Sequence, residues 1–192
     1  MNVDLMVEQA EGKPAPLPLL ALQAFANTLD VEESIDQLDS PESFTAWLKQ
    51  VGLARRSLTA NAADLESARR LRTAVRGLLV ANTRHTGDRD ATRALGRLTS
   101  RYRVPLSAGA DGRLEPDLSP AHTAEDLVPR LLAVIFQAQA TGTFERLKIC
   151  ENDECQWAFY DSSRNQMGTW CRMGLCGNRL KNRAYRERQR SA

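Results

Sequence analysis

The four cysteines of the chain lie within 27 residues and form two pairs of identical spacing. Four residues separate Cys150 from Cys155, four separate Cys171 from Cys176, and fifteen lie between the pairs. Two close pairs of thiolates suit tetrahedral zinc, because each pair supplies two ligands from one tight turn. A disulfide requires an oxidising compartment, and a redox dithiol usually has two intervening residues, so both alternatives are weaker. The spacing predicts one structural Zn²⁺ whose four cysteine ligands leave no position for a catalytic water.

Short apolar segments flank the first cysteine pair. Residues 147–149 lead into Cys150 as a predicted strand, and residues 157–160 form a predicted second strand. The second strand carries Trp157, Phe159 and Tyr160, whose rings suit either the small core of a zinc module or stacking on bases. The core interpretation is favoured. Metal binding can fold a segment this poor in apolar residues, because the binding energy becomes folding energy.

Basic residues are concentrated after the second predicted strand. Residues 162–192 hold eight of the 26 basic residues and one of the 24 acidic residues, a net charge of +7, while the rest of the chain carries −5. An acidic body with a basic end indicates that the basic end meets a polyanion. The residues expected to contact nucleic acid are Arg164, Arg172, Asn178, Arg179, Lys181, Asn182, Arg183, Arg186, Arg188 and Arg190.

The segment after Gly177 contains no helix breaker and is predicted to form a helix that starts at the zinc site. Its four arginines at spacings of 4, 3 and 4 fall on one face; these are Arg179, Arg183, Arg186 and Arg190. Like charges this close destabilise a free helix, so this row of four arginines is better explained if the helix binds an anion. Two alternatives stay open: a solvated helix face, and compensation of the negative thiolate centre by Arg172 or Arg179.

The remaining chain predicts a mainly α fold with a small β-hairpin. Residues 1–18 are predicted as an irregular lead-in, 19–145 as a helical domain, and 146–192 as a zinc finger ending in a basic helix. Apolar periodicity predicts helices over 19–29, 62–81, 90–100 and 123–140, and one from Ser40–Pro41 to Gly52. The acidic residues 30–38 are predicted as a loop. Alternation over 101–116 around Asp111–Gly112 predicts the hairpin.

Two groups of motifs resemble known families. The run from Trp170 to Arg179 resembles the signature of the CGNR zinc fingers, and residues 150–155, 157–160 and 163–165 match the rest of that pattern. Residues 25–30, Trp47–Leu48 before Gly52–Leu53, and Leu71–Arg72 resemble the ABATE domain. The resemblance implies a bacterial, stress-linked transcription regulator with four cysteine zinc ligands and a DNA-binding finger. Residues 165–169 depart from the pattern because they lack the basic residues often found there.

The leading functional hypothesis is a DNA-binding regulator whose helical domain senses a signal or mediates association. The alternative is an RNA- or protein-interaction module, in which the basic helix binds RNA or an acidic protein surface. That surface includes residues 30–42 of another copy, so a homodimer is a further candidate. Asn27 and Asp30 mark a candidate ligand pocket, although capping of a helix end is the simpler interpretation for both.

Other classes of protein are not supported. The helical domain shows no phosphate loop, nucleophile motif or paired carboxylates at helical spacing with a histidine, so we expect no enzyme. The longest apolar run, residues 131–136, is too short to cross a bilayer. Residues 1–11 contain three acids and no base, which does not fit a secretory signal, so a cytoplasmic location without membrane contact is expected.

Overall fold

The computed structural model describes residues 1–10, 12–178 and 189. Its α-helices are α1 (Val3–Gln9), α2 (Leu19–Ala26), α3 (Pro41–Gln50), α4 (Ala62–Arg84), α5 (Arg89–Arg101) and α6 (Leu127–Ala140). Among these residues, three antiparallel two-stranded hairpins pair β1 (Leu29–Asp30) with β2 (Ile35–Asp36), β3 (Leu106–Ala108) with β4 (Leu114–Pro116), and β5 (Leu147–Ile149) with β6 (Ala158–Tyr160). The chain is therefore mainly helical with small hairpins, as the sequence predicts. Within the described residues, no helix has the length and apolar character needed to cross a membrane.

Local sequence signals set the ends of the long helices. Ser40 caps α3 by accepting from the backbone N–H of Ser43. The Asn61 side chain caps α4 by accepting from the backbone N–H of Asp64, and the Asp64 carboxylate accepts in return from the backbone N–H of Asn61. Gly52 follows α3 at φ +69°, a conformation in which a side chain is strained. These three ends match the prediction because each depends on neighbours in the chain.

Helix α2 lies at the centre of the core. Every one of its eight residues is buried, as expected of a helix that is apolar on all faces. It packs against α1, α4 and α6, and the segment of α3 adds Phe44, Trp47, Leu48 and Val51 to the same core. The helical domain therefore has one hydrophobic core built around α2.

The prediction of an irregular lead-in over residues 1–18 is wrong for its first half. Residues Val3–Gln9 form α1, Asn2 caps it by accepting from the N–H of Leu5, and the side chain of Met6 is completely buried. This helix is too short to show clear periodicity, and it is stabilised by its packing on α2 rather than by propensity. The irregular description holds only for residues 12–18, the proline-rich segment before α2.

Two smaller differences concern hairpins. The acidic residues 30–38 are not simply a loop, because β1 and β2 pair there and Arg72 binds the Asp36 carboxylate at 2.5 and 2.7 Å. The hairpin predicted over 101–116 is present, with Gly112 at φ +79° in its turn, but its strands begin only at Leu106. Tyr102 instead ends α5.

The hairpin of β5 and β6 joins the zinc-finger segment to the helical domain. Leu147, Ile149 and Ala158 belong to the main hydrophobic core. Thr83 on α4 donates to the carbonyl of Ile149 at 2.8 Å and accepts from its N–H at 3.0 Å. The finger is thus built directly on the helical domain.

Candidate metal centre

The structure brings the four cysteine sulfurs together. The Sγ atoms of Cys150, Cys155, Cys171 and Cys176 all lie within 4.8 Å of one another, and all four side chains are free thiols and buried. The Sγ of Cys171 is 3.6 Å from that of Cys155 and 3.6 Å from that of Cys176. A tetrahedron with Zn–S bonds of about 2.3 Å has S···S edges of about 3.8 Å, so the cluster fits one zinc ion.

The first cysteine pair is positioned by the end of the β5–β6 hairpin. The N–H of Cys150 donates to the carbonyl of Trp157 at 2.9 Å, and the N–H groups of Cys155 and Gln156 both donate to the carbonyl of Asn152 at 2.9 Å. Gln156 takes the left-handed conformation at φ +51°. These bonds close a tight turn, the first knuckle (residues 150–155), which brings both thiols to one side.

The second knuckle (residues 171–176) lies at a single turn of π-helix, Met173–Gly177. The N–H of Cys176 donates to the carbonyl of Arg172 at 3.0 Å. Gly177 is packed so closely that an added Cβ would lie 2.6 Å from the Met173 sulfur and 3.3 Å from the Trp170 ring. The glycine of the signature therefore allows the chain to leave the site beneath Trp170.

Hydrogen bonds among the cysteine thiols shift their pKa values in opposite directions. The thiols of Cys155 and Cys171 donate to the Cys150 sulfur and lower its pKa to about 2. The same interaction with Cys150 raises the pKa of Cys155 to about 12 and raises that of Cys171 further. A divalent cation bound among the sulfurs would favour the thiolate form of its ligands.

Aromatic side chains cover the cysteine cluster. Phe159 is completely buried against it, and Trp157 and Trp170 pack beside it while partly buried. Lys13 lies over the Phe159 ring at 4.6 Å and donates to the carbonyl of Trp170 at 2.7 Å. This packing favours the core interpretation of the rings over base stacking. It also links the proline-rich segment to the finger.

A buried ion pair orders the loop between the two knuckles. The Lys148 ammonium, which is fully buried, donates to the Asp161 carboxylate at 3.1 Å and to the carbonyls of Gln166 and Gly168 at 2.5 and 3.2 Å. The Asp161 carboxylate also accepts from the Gly168 N–H at 2.7 Å. Burial alone raises the pKa of Asp161, but hydrogen bonds from Ser163, Lys148 and Gly168 lower it to about 2. This pair holds residues 161–168 in place ahead of Cys171.

No pattern in the sequence identifies this ion pair. A lysine in a three-residue apolar strand gives no local signal of burial, and its partner lies 13 residues away. The alternation of the strand indicates only that Lys148 points to the face opposite to Leu147 and Ile149.

Asn27 fastens the helical domain to the finger. Its amide donates to the Ala158 carbonyl at 3.0 Å and its oxygen accepts from the Ala158 N–H at 2.7 Å. The nearby Gln23 also donates to the Ala158 carbonyl at 3.1 Å. The neighbouring cavity of about 360 Å³ is lined by Asn27 but not by Asp30, whose carboxylate accepts from the Glu33 N–H. The ligand pocket at Asn27 and Asp30 stays a prediction, and the amide of Asn27 is used by Ala158.

Arg76 is a second link that the sequence did not reveal. Its guanidinium donates to the carbonyl of Ala26 at 3.0 Å and to the carbonyl of Gln156 at 3.1 Å. Burial lowers the pKa of Arg76, although the Cys155 sulfur partly offsets this effect. One cation thus connects the end of α2 to the turn that carries Cys155.

The predicted nucleic-acid residues are only partly described. Arg164, Arg172 and Asn178 are exposed, and the Asn178 amide donates to the Gly174 carbonyl at 3.1 Å. The remaining predicted residues lie outside the described residues, as does nearly all of the predicted basic helix; they are Arg179, Lys181, Asn182, Arg183, Arg186, Arg188 and Arg190. That helix stays a prediction.

Comparison with known families agrees with this arrangement. The model of the ABATE family, described as "Putative stress-induced transcription regulator", matches residues 20–141. The model of the CGNR zinc finger matches residues 146–189. A search of curated proteins found no match. The cysteine cluster lies within the zinc-finger match, and a centre with four protein thiolates is structural, so the cofactor is one structural zinc ion.

Proposed function

Because the chain belongs to the ABATE family and carries a CGNR zinc finger, we propose that it is a DNA-binding transcription regulator. In this proposal the finger and the basic segment after it bind duplex DNA, and the helical domain senses a signal or mediates association. The zinc ion keeps the second knuckle rigid, so that the basic segment starts from a fixed point. The ion itself takes no part in chemistry.

The observation that carries the proposal is the division of charge across the finger. The first knuckle exposes Glu151, Asp153 and Glu154, whereas residues from 162 onward carry a net +7. DNA is a dense line of phosphates, so it is attracted to the second knuckle and repelled by the first. The exposed Arg164 and Arg172 lie on the basic side of this division.

The contacts between the two domains supply a route for a signal. Asn27 and Gln23 of the α2 region hold β6, and Arg76 of α4 holds the turn after Cys155. A ligand that shifts α2 or α4 would therefore move the first knuckle with them. This coupling supports the sensor role of the helical domain.

Titration by fluorescence anisotropy tests DNA binding. The zinc-loaded protein is titrated with labelled duplex DNA at several salt concentrations, alongside a variant in which Arg183, Arg186 and Arg190 are glutamine. Loss of three phosphate contacts should weaken binding at least about tenfold and reduce the slope of log K against log salt by about 2 to 3.

The matched control places the same three charge changes on the helical domain. Arg89, Arg93 and Arg103 are exposed there and lie outside the finger. Their replacement by glutamine should leave the salt slope unchanged. Equal losses in the two variants would mean that net charge alone acts, and no loss in the first would remove the basic segment from the function.

A second candidate function is protein binding by the finger. Met167, Met173 and Leu175 are 59, 51 and 47% exposed, and methionine is frequent at adaptable protein-binding surfaces. A complex that forms with an acidic protein and survives salt concentrations that dissociate DNA would favour this candidate.

We also propose that the chain is not an enzyme, since the zinc centre leaves no open ligand position.

A further inference from the structure

A cleft of about 890 Å³ separates helices α4 and α5. The helices are in close contact at Gly77, where an added Cβ would lie 2.9 Å from both the Ala91 Cβ and the Asp88 carboxylate. Away from this crossing the cleft is floored by small or apolar side chains, among them Ala74, Ala94 and Leu98. Its volume lies within the range of about 300 to 1,000 Å³ that small-molecule sites occupy.

One end of the cleft is lined by arginines from both helices. Arg70 precedes Gly77 by seven residues, and Arg97 follows Ala91 by six. A short connection makes the two helices antiparallel neighbours. At about 1.5 Å per residue, the two arginines are therefore about 10 and 9 Å from the crossing, in the same direction. Arg69 and Arg101 lie at this end as well and line the cleft.

The charge at this end is only partly balanced by carboxylates of the described residues. Among the described residues, Arg70 pairs with Glu66 at 2.7 Å and Arg101 lies 3.8 Å from Glu125. The other acids of the cleft, Asp88 and Asp90, lie near the crossing, where Asp88 accepts from the first N–H groups of α5 and Asp90 pairs with Arg93. The two ends of the cleft therefore differ in charge, and the arginine end is positive.

The remaining arginines are available to an anion. Arg69 is held by the carbonyls of Leu38 and Asp39 at 2.7 and 2.8 Å, and its charge also helps to lower the pKa of Asp36. Arg101 lies 3.8 Å from Glu125, and both side chains are more than half exposed. In the part of the chain that the structure describes, Arg97 is exposed and makes no ion pair. Tyr102 lines the same end, and its buried phenolic oxygen has no hydrogen-bond partner among these residues.

We propose that the α4–α5 cleft is a binding site for a small organic anion. A phosphate or carboxylate group binds between Arg97 and Arg101, with Tyr102 as a further donor, and the apolar part of the molecule lies on Ala94 and Leu98. Guanidinium groups bind both kinds of anion with charge-assisted hydrogen bonds. This site gives a chemical class to the signal that the proposed regulator senses. The tests below contain no DNA, so their failure is distinct from a failure of DNA binding.

The first test uses anilinonaphthalene sulfonate, a fluorescent probe with an anionic group on an apolar body. Its neutral relative N-phenylnaphthylamine has the same aromatic rings without the sulfonate. The zinc-loaded protein should bind the anionic probe at one site and at least about tenfold more tightly than the neutral one. Replacing Arg97 and Arg101 by glutamine should remove this preference.

Arg89 and Arg93 provide the matched control, since they lie on the same helix but do not line the cleft. Their replacement by glutamine removes the same charge and should leave the binding of both probes within twofold of the parent. All four arginines are exposed, so folding should be retained, which thermal unfolding checks. Equal binding of the two probes, or equal losses in the two double variants, would overturn the proposal.

Displacement of the bound probe identifies the anionic group. Phenyl phosphate and phenylacetate carry a phosphate or a carboxylate on the same ring. Displacement by phenyl phosphate alone assigns a phosphate ligand, displacement by phenylacetate alone assigns a carboxylate, and displacement by both supports the shared chemistry. Displacement by neither contradicts a site for organic anions.

Discussion

Replacing Lys148 by methionine should destabilise the zinc finger far more than any exposed lysine replacement. The ammonium group binds one carboxylate and two carbonyls while fully buried, and methionine keeps the apolar stem but supplies none of these bonds. Breaking a buried ion pair by removal of one partner costs about 3 to 5 kcal/mol, because the remaining charge is buried without its counterion. Asp161 keeps its bonds from Ser163 and Gly168, so a cost near the lower end, about 3 kcal/mol, is expected.

Two measurements on the Lys148→Met protein check this reasoning. Urea unfolding of the zinc-loaded protein gives the loss of stability, and competition with a chromophoric chelator gives the loss of zinc affinity. Zinc should be lost more readily, because the loop that leads into Cys171 is no longer held. The Lys49→Met protein is the control, since Lys49 is exposed and its replacement should cost less than about 0.5 kcal/mol.

A double variant separates the ion pair from simple packing. If the pair acts as a unit, Lys148→Met and Asp161→Asn together should cost about 0.5 to 3 kcal/mol less than the sum of the single changes. A cost below about 1 kcal/mol for Lys148→Met, with unchanged zinc affinity, would refute the role of the pair. Additive single costs would show that the two groups do not depend on each other.

Three further predictions concern the metal, the domain contact and pH. Removal of zinc by a chelator, or the change Cys176→Ser, should unfold the finger while α2 to α6 keep their helical signal in circular dichroism, and loss of all helical signal would contradict this. Asn27→Ala should cost about 2 kcal/mol and speed proteolysis near residue 158, because the Ala158 N–H loses its partner in a buried position; unchanged proteolysis would contradict the role of Asn27. Burial by itself raises the pKa of Asp36, but its bonds to Arg72 and Leu38 lower it below 3.8, so its carboxylate adds stability above that pH and loses it as the pH falls further. The stability of the parent relative to Asp36→Asn should therefore shrink below about pH 4 in urea unfolding, and a difference that stays constant with pH would contradict this.

Features that depend on neighbouring residues could be read from the sequence. The cap of α3, the turn at Gly112 and the strands beside Cys150 depend on residues within a few positions of one another. The zinc ligands belong to the same class, because spacing alone brings each pair of thiols to one turn. Helix α1 was missed because its stability comes from α2, which lies beyond the proline-rich segment.

Features that depend on distant residues could not be read in this way. Asn27 belongs to a motif that resembles the ABATE domain, but its partner Ala158 lies 131 residues later, and no periodicity identifies that contact. The arginines of the α4–α5 cleft look like the solvated faces of two ordinary helices. Only the crossing at Gly77 shows that Arg70 and Arg97 share one end.

The sequence by itself determined the identity of the metal centre, because the chemistry and spacing of four thiols specify zinc wherever the finger lies. It also determined the division of charge between an acidic body and a basic end. The tertiary structure decided how the finger is attached, through Asn27, Arg76 and Thr83, and why its second knuckle is ordered, through Lys148 and Asp161. The physical reason is burial. Hydrophobic periodicity indicates which side of an element is buried, whereas the contribution of a buried polar side chain to stability depends on the partner to which it is hydrogen-bonded.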